Sequence, residues 1–179
     1  MKQHRRKLKR IENPAHLRYL TFSCYQRLPL LGNAAIRDLF VEQLQLTHDR
    51  LGFGLFAWVV MPEHVHLLVQ PPSGTTVSSI LAALKRPVAA QVLSRWREID
   101  APILSRIQDI AGRSHFWQRG GGYDRNISSL DEAREKFGYI HANPVRRGLV
   151  DRPADWAWSS AGDVGGGSIG RPVIDRLPG

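Results

Sequence analysis

Two strongly apolar segments separated by only two residues constrain the fold of this chain more than any other feature. Residues 53–61 (FGLFAWVVM) and 64–70 (HVHLLVQ) are rich in β-branched and aromatic residues, which favours β-strands. Pro62-Glu63 is a tight connection between them, and Pro71-Pro72 ends the second segment. The pair therefore predicts an antiparallel hairpin.

The segments on either side of this hairpin complete a ferredoxin-like plan. Periodicity and turn residues predict the remaining elements, which are a strand at 17–27, a helix at 34–51, a helix at 77–96, a strand at 115–127 broken by three glycines, and a helix at 129–142. The order strand, helix, strand, strand, helix, strand, helix is that of the split βαβ fold. We therefore expect an α+β domain, with an antiparallel sheet and helices on one of its faces.

Local signals define where these helices begin and end. Asn33 should cap the first helix and Gly52 should close it. Pro87 should kink or interrupt the second helix. A capping box of Ser129 with Glu132 should begin the last helix, and Pro144 should end it.

Basic side chains are concentrated in two parts of the chain. The net charge is +9, from 25 Lys and Arg against 16 Asp and Glu. Residues 1–10 carry six basic groups and no acid, and residues 85–147 carry twelve basic groups against seven acids. This distribution favours a polyanionic partner, because each neutralised phosphate releases counterions. A basic surface that serves only solubility is the alternative.

Several classes of protein are excluded by what the sequence lacks. A single cysteine, Cys24, provides neither an intrachain disulfide framework nor a cysteine-rich zinc site. No apolar run approaches the roughly 18 residues of a membrane span, and no secretory signal is evident, so we expect a cytoplasmic protein that does not associate with membranes. The chain divides into a basic arm at 1–13, one domain at 14–161, and a Gly-rich flexible tail at 162–179.

A pair of histidines on the third predicted strand is a candidate metal site. His64 and His66 are two residues apart, so both should project from the same face of the strand, about 7 Å apart along the backbone. Two imidazoles placed in this way suit one metal ion. Two half-buried histidines that hydrogen-bond to backbone carbonyls are the alternative.

The last predicted helix carries a tyrosine and an asparagine one turn apart. Leu130, Ala133, Phe137 and Ile140 define its buried stripe, and Tyr139 and Asn143 lie off that stripe on a polar side. If this helix crosses the histidine face, then His64, His66 and Asn143 offer two nitrogens and an amide oxygen to a divalent ion. Tyr139 would be the nucleophile, and Lys136 could lower the pKa of its phenol. His141, beside the stripe, should pack or hydrogen-bond.

Four motifs in this order resemble the REP-associated tyrosine transposases, which are single-tyrosine members of the HUH superfamily, where U is a hydrophobic residue. The motifs are MPEHVHLLV around the histidines, HFWQRGGGYDRNI (115–127), YIHANPVRRGLV (139–150) and DWAWSS (155–160). The resemblance covers about residues 14–161. It implies a ferredoxin-like catalytic domain that uses Mg²⁺ or Mn²⁺. It also implies that a tyrosine cuts single-stranded DNA, which leaves a 5′-phosphotyrosine link and a free 3′-OH, and that ends are then rejoined.

Carried over residue by residue, the resemblance makes His64 and His66 the histidine pair and Tyr139 the nucleophile. Asn143 matches the polar ligand, which is usually Gln in related insertion-sequence transposases. The family recognises a DNA hairpin with a few bases at its foot. The candidate basic contacts to DNA are Arg5, Arg6, Lys7, Lys9, Arg10, Arg18, Arg27, Arg119, Arg146 and Arg147. Unpaired bases could stack on Trp117, Trp156 or Trp158, although burial in the core is the commoner fate of tryptophan.

Two other functions compete with the transposase reading. A non-catalytic RRM-like module would bind hairpins through aromatic side chains on its sheet, but His64, His66 and Leu68 offer little stacking surface. A metal-dependent hydrolase would need a carboxylate beside the histidines, and Glu63 should point to the opposite face. We expect a monomer, because no exposed apolar stripe is left to spare, and a homodimer, as in insertion-sequence relatives, is the alternative.

Overall fold

A computed structural model describes residues 16–120, 122–163 and 172–177. Its strands and helices are β1 (Leu17–Ser23), α1 (Ala34–Leu51), β2 (Gly54–Val60), β3 (His64–Gln70), α2 (Val77–Glu98), α3 (Ile103–Arg106), β4 (Tyr123–Ile127) and α4 (Leu130–Arg146), with short 3₁₀ turns at Tyr25–Arg27, Pro153–Asp155 and Ser160–Asp163. In this part of the chain, no helix combines the length and the apolar composition that crossing a bilayer requires.

The four strands form one antiparallel sheet in the order β2-β3-β1-β4, which confirms the split βαβ plan. Alternation along the strands divides the apolar side chains between two faces. On one face Leu20 and Val65 pack with side chains of α1 and α2. On the other face Tyr19 and Leu68 pack with side chains of α4. α1 and α2 therefore share one face, as predicted, and the helix that carries Tyr139, α4, packs on the other.

The helix ends follow the sequence signals, except at the prolines. The side chain of Asn33 accepts from the Ala35 N–H, and Gly52 closes α1 in the left-handed region at φ 61°. Pro87 lies inside a continuous α2, because the Ala83 carbonyl that it leaves without a helical donor accepts instead from Gln43 of α1 at 3.2 Å.

Pro144 does not end α4, which continues to Arg146. Only the N–H of Pro144 is missing, and the following turn is closed by the Arg147 N–H donating to the Asn143 carbonyl at 3.1 Å. At the start of α4, Ser129 accepts from the Glu132 N–H as predicted, whereas the Glu132 carboxylate accepts from the Ser128 N–H. The helix therefore extends the predicted one by a full turn.

Strands β1 and β4 are both shorter than predicted. β1 ends at Ser23, since Gln26 and Arg27 have φ of 50° and 55°, outside the strand region. Between 115 and 119 only Trp117 bridges to the sheet, at Cys24, before β4 begins. Gly122, with φ 73°, must be glycine, because a Cβ there would overlap the Thr21 carbonyl.

The free edge of β2 is covered by residues that follow α4. The Val60 N–H donates to the Trp158 carbonyl at 2.8 Å, and Val59 bridges to Ser159. Further along, Asp175 exchanges two hydrogen bonds with the backbone of Leu55, at 2.7 and 2.8 Å. Of the predicted tail at 162–179, Asp175 thus lies beside β2, while 164–171 and 178–179 lie outside the described residues.

Candidate active site

The face of the sheet beneath α4 holds the histidine pair. His64 and His66 are both buried, and their Nε2 atoms lie 2.9 Å apart. Val65 and Leu67, between and beside them, pack into the core on the opposite face. The predicted alternation along β3 is thus confirmed, and it aims both rings at one point.

The second nitrogen of each ring has a partner of its own. The Nδ1 atom of His64 lies 3.1 Å from a carboxylate oxygen of Glu63. The Nδ1 atom of His66 lies 2.8 Å from the Tyr19 hydroxyl and 2.7 Å from the Thr21 hydroxyl. A ring proton on each Nδ1 satisfies these contacts and leaves both Nε2 lone pairs free for a metal ion.

Burial keeps both rings neutral. It lowers the pKa of His66 to about 3, with the charge of His64 adding to the effect. Burial also lowers the pKa of His64, although Glu63 acts in the opposite direction. Only a neutral imidazole has a lone pair that can bind a metal ion, and both rings are in this form at neutral pH.

The geometry of the pair fits a divalent ion. Two ligand nitrogens that each stand about 2.1 Å from an ion, at right angles, are about 3 Å apart. The observed 2.9 Å matches this spacing, and a cation between the two lone pairs would remove their repulsion. Among the described residues, no group of three His, Cys, Asp or Glu could hold a metal ion, and the third ligand predicted from the sequence is an amide.

Asn143 on α4 is the candidate for that third ligand. It is 6% exposed, so the prediction that it lies on a polar helix side is wrong: α4 rests on the sheet with this side turned inward. Its amide nitrogen donates to the Tyr139 carbonyl one turn earlier, at 3.5 Å, which leaves the amide oxygen available to a ligand.

Tyr139 stands directly over the histidine pair. Its ring centroid is 5.6 Å from that of His66 and 6.2 Å from that of Tyr19, both in edge-on contact. Tyr139 is 36% exposed, so part of the residue faces solvent. The guanidinium of Arg146 lies 5.1 Å from the centre of the Tyr139 ring. The helix therefore places the Tyr139 ring beside the histidine pair and a cation.

The other residues predicted on α4 have separate partners. The ammonium group of Lys136 forms an ion pair with Glu135 at 2.7 Å and lies 5.8 Å from the centre of the Tyr19 ring. It is therefore near the tyrosine cluster, with its closest contact on its own helix. His141 packs on Phe137 and hydrogen-bonds to Ser160 at 2.7 Å, which confirms its structural role.

Glu63 and Tyr19 are site residues that the sequence reasoning missed. Glu63 was expected to point away from the histidines, but it precedes the first residue of β3, where strand alternation does not apply. Glu63 is 7% exposed, and its carboxylate contacts His64, Arg147 at 2.9 Å and Arg27 at 3.8 Å. The available signal for Tyr19 was strand alternation, which places it on the same face of β1 as Thr21, the residue that pairs with His66.

The predicted DNA contacts divide into three groups. Arg5, Arg6, Lys7, Lys9 and Arg10 lie outside the described residues. The side chain of Arg18 is 4% exposed and paired with Asp124 at 2.7 Å, so its prediction as a DNA contact is wrong. The exposed guanidinium groups are those of Arg27 and Arg147 beside Glu63, Arg119 beside Asp109, and Arg146 over Tyr139.

The three candidate stacking tryptophans belong to the packed parts of the domain. Trp117 and Trp156 are buried, at 8% and 9% exposure. Trp158 lies beneath the guanidinium of Arg37, 3.8 Å from its ring centre, and its indole N–H donates to Asp38 at 2.7 Å. Packing rather than base stacking is therefore the role these positions support.

The face that an RRM-like module would use is not open. α4 covers it, and Tyr19 on the central strand β1 is buried and hydrogen-bonded to His66. Burial raises the pKa of its phenol to about 12. The Glu63 carboxylate contacts the Nδ1 atom of His64, on the side of the ring away from the paired Nε2 atoms. It is therefore not placed to be the carboxylate ligand that the hydrolase hypothesis requires.

Comparison with known proteins gives consistent matches. The family described as "Transposase IS200 like" matches residues 16–142. The REP-associated tyrosine transposase of Escherichia coli K12 is 29% identical over 145 residues, which span 73% of this chain and 76% of that protein. A putative REP-associated tyrosine transposase of Haemophilus influenzae is 27% identical over 123 residues, 68% of this chain and 66% of that protein. The solved structure of a REP-associated tyrosine transposase bound to a REP hairpin has the same fold, with a TM-score of 0.69 at 22% identity over 97% of this chain and 92% of that chain.

Proposed function

This chain belongs to the IS200-like transposase family, and from that premise we propose that it cleaves and rejoins single-stranded DNA at hairpin, REP-like sequences with Tyr139 as the nucleophile. The observation that carries the proposal is the convergence of the Tyr139 ring on the His64 and His66 pair. A tyrosine whose ring packs against one histidine of a pair suited to a metal ion has the parts needed for a metal-assisted attack on phosphate.

In the cleavage step the Tyr139 hydroxyl oxygen forms a bond to the scissile phosphorus. The bond from phosphorus to the 3′ oxygen breaks, that oxygen takes up a proton to become a 3′-OH, and the phenol proton passes to solvent. Rejoining reverses these changes when a 3′-OH attacks the phosphotyrosine. Arg146, over the Tyr139 ring, stabilises the negative charge at this position, and Lys136 is the second cation near the tyrosines.

His64, His66 and Asn143 would hold the cofactor, Mg²⁺ or Mn²⁺. When bound, such an ion polarises the phosphodiester and stabilises charge on the departing oxygen. Glu63, Tyr19 and Thr21 orient the two rings through their Nδ1 atoms. The protein thus provides a fixed pair of nitrogens, and the helix provides the amide oxygen and the nucleophile together.

The DNA partner would be held by the exposed arginines around this site. Arg27 and Arg147 flank Glu63, and Arg146 stands over Tyr139. Phosphate contacts from these side chains would position the strand without reading its sequence. We propose that residues 14–161 form the catalytic domain and that the arm at 1–13 makes a further contact with the DNA. The monomer expected from the sequence is tested by sedimentation of the DNA-free protein.

The polarity of the reaction tests this proposal. The full chain is incubated with Mn²⁺ and a hairpin oligonucleotide that carries a single-stranded flank, taken from inverted repeats beside the gene. A label at the 3′ end should become linked to protein, and a label at the 5′ end should be released on a free fragment, on a denaturing gel. Hydrolysis without any protein-linked label, or tight binding without cleavage under any metal ion, would contradict it.

Glu63→Gln should weaken Mn²⁺ binding by about tenfold to a hundredfold. The substitution removes the negative charge that makes His64 a stronger ligand, and it leaves Arg27 and Arg147 uncompensated near the metal position. Calorimetric titration of the DNA-free protein with Mn²⁺ measures the change. Glu98→Gln, at an exposed position of α2, is the matched control and should leave the affinity unchanged. If Glu63→Gln binds Mn²⁺ as tightly as wild type does, Glu63 has no role in metal binding.

A further inference from the structure

A groove separate from the active site runs between α2 and the segment at 117–120. Its volume is about 430 Å³, within the range of roughly 300–1,000 Å³ usual for ligand sites. Six of the residues that line it are Leu81, Ala82, Lys85, Arg86, Ala89 and Trp117. The α2 residues share one helix stripe, so the groove has a rigid, mainly apolar floor with two cations on it.

The cations of the groove lack a counter-charge. The Lys85 ammonium lies 5.5 Å from the ring centre of Phe22 and 5.8 Å from that of Trp117. Neither Lys85 nor Arg86 has an ion-pair partner within residues 16–120, 122–163 and 172–177. Burial lowers the pKa of Lys85, as expected for a cation that has lost part of its hydration. A bound anion would supply the missing charge.

The groove and the histidine pair lie at the same end of the sheet on opposite faces. Trp117 bridges to Cys24, and Ser23, the preceding residue, pairs with His64. The Cys24 N–H also donates to the Glu63 carbonyl at 2.9 Å. A DNA strand that leaves Tyr139 therefore reaches the groove by passing round this end of the sheet, where the exposed guanidinium of Arg27 lies.

We propose that this groove binds one unpaired nucleotide of the single-stranded flank. The base lies on the apolar floor of Leu81, Ala82 and Ala89, and its phosphate lies at Lys85 and Arg86. A planar apolar body joined to an anion matches both parts of the lining, and a basic protein of net charge +9 favours a nucleic-acid source for it. The inference rests on the proposed function and adds a subsite to it.

An abasic scan tests the subsite. Hairpin oligonucleotides are made with one base of the flank removed at each position in turn, and their dissociation constants are measured by fluorescence anisotropy. For the wild-type chain, removal of the base that occupies the groove should weaken binding by about tenfold. In Ala82→Phe, whose ring fills the groove, the same removal should change the affinity less than twofold.

Lys85→Met provides a second variant that keeps the side-chain length and removes the charge. It should weaken binding of the intact hairpin and reduce the salt dependence of binding by about one unit of slope. Arg97→Met removes a charge from α2 outside the groove and is the matched control, with a base-removal profile like that of wild type. Circular dichroism checks that each variant is folded.

The outcomes separate this inference from the proposed function. If wild type forms the tyrosine-linked adduct but the profile of base removal is the same in wild type, Ala82→Phe and Lys85→Met, the groove is not a nucleotide site. A flat profile in wild type itself overturns it equally. If wild type forms no adduct with any hairpin, the proposed function fails, whereas a profile that depends on Ala82 and Lys85 still supports the groove.

Discussion

Tyr139→Phe should abolish the covalent bond between protein and DNA and reduce strand cleavage by several orders of magnitude. The change removes one oxygen atom, the one that would attack phosphorus. The ring contacts to His66 and Tyr19 remain available, so fold and hairpin binding should be kept. Adduct formation is measured on a denaturing gel with a hairpin labelled at its 3′ end, and hairpin affinity is measured in parallel by anisotropy.

Tyr123→Phe is the matched control for this experiment. Tyr123 lies on the same face of the sheet, is 54% exposed, and has its ring centre 6.0 Å from that of Tyr19. It should form the adduct at the wild-type rate. An adduct that survives Tyr139→Phe and is lost in Tyr123→Phe would move the nucleophile to β4 and overturn the assignment of α4.

Replacing both His64 and His66 with Ala should remove cleavage while hairpin affinity stays within about tenfold of wild type. Cleavage depends on the two Nε2 atoms that would hold the metal ion. Binding depends on basic side chains that contact phosphates, and none of these is changed. Cleavage with Mg²⁺ and with Mn²⁺ is compared with anisotropy in the absence of metal.

His48→Ala serves as control for the loss of an imidazole, because His48 lies on α1, away from the sheet face that carries the pair. It should retain both cleavage and binding. Because His66 is buried and hydrogen-bonded to Tyr19 and Thr21, the double variant is also checked by thermal unfolding. Loss of binding and cleavage in equal measure would assign the histidines a structural role.

The part of this site that could be predicted from sequence depends on local geometry. His64 and His66 share a face because strand alternation has a period of two, and α4 begins at Ser129 because a serine there can accept the Glu132 N–H. The convergence of the two Nε2 atoms at 2.9 Å could not be predicted, because it depends on Glu63 and on side chains of β1 that hold the rings.

The failures come from contacts between distant parts of the chain. Arg18 resembles a surface cation in the sequence, but Asp124, 106 residues later, lies on the neighbouring strand and neutralises it in the interior. Asn143 was placed on a polar helix side, and it is buried because α4 packs on the sheet with that side as well. Pro87 is accommodated because Gln43, on another helix, supplies the donor that the proline lacks.

The cover over the edge of β2 affects how the chain acquires its structure during synthesis. Every strand and helix of the sheet domain is complete once Arg146 has been made, whereas the outer edge of β2 receives hydrogen bonds at Val60 and Leu55 from Trp158 and Asp175. Until those residues leave the ribosome, β2 presents an unpaired apolar edge to other nascent chains, which is where misassembly begins. Trp158 and Asp175 thus shield the outer edge of a strand that is synthesised about a hundred residues earlier.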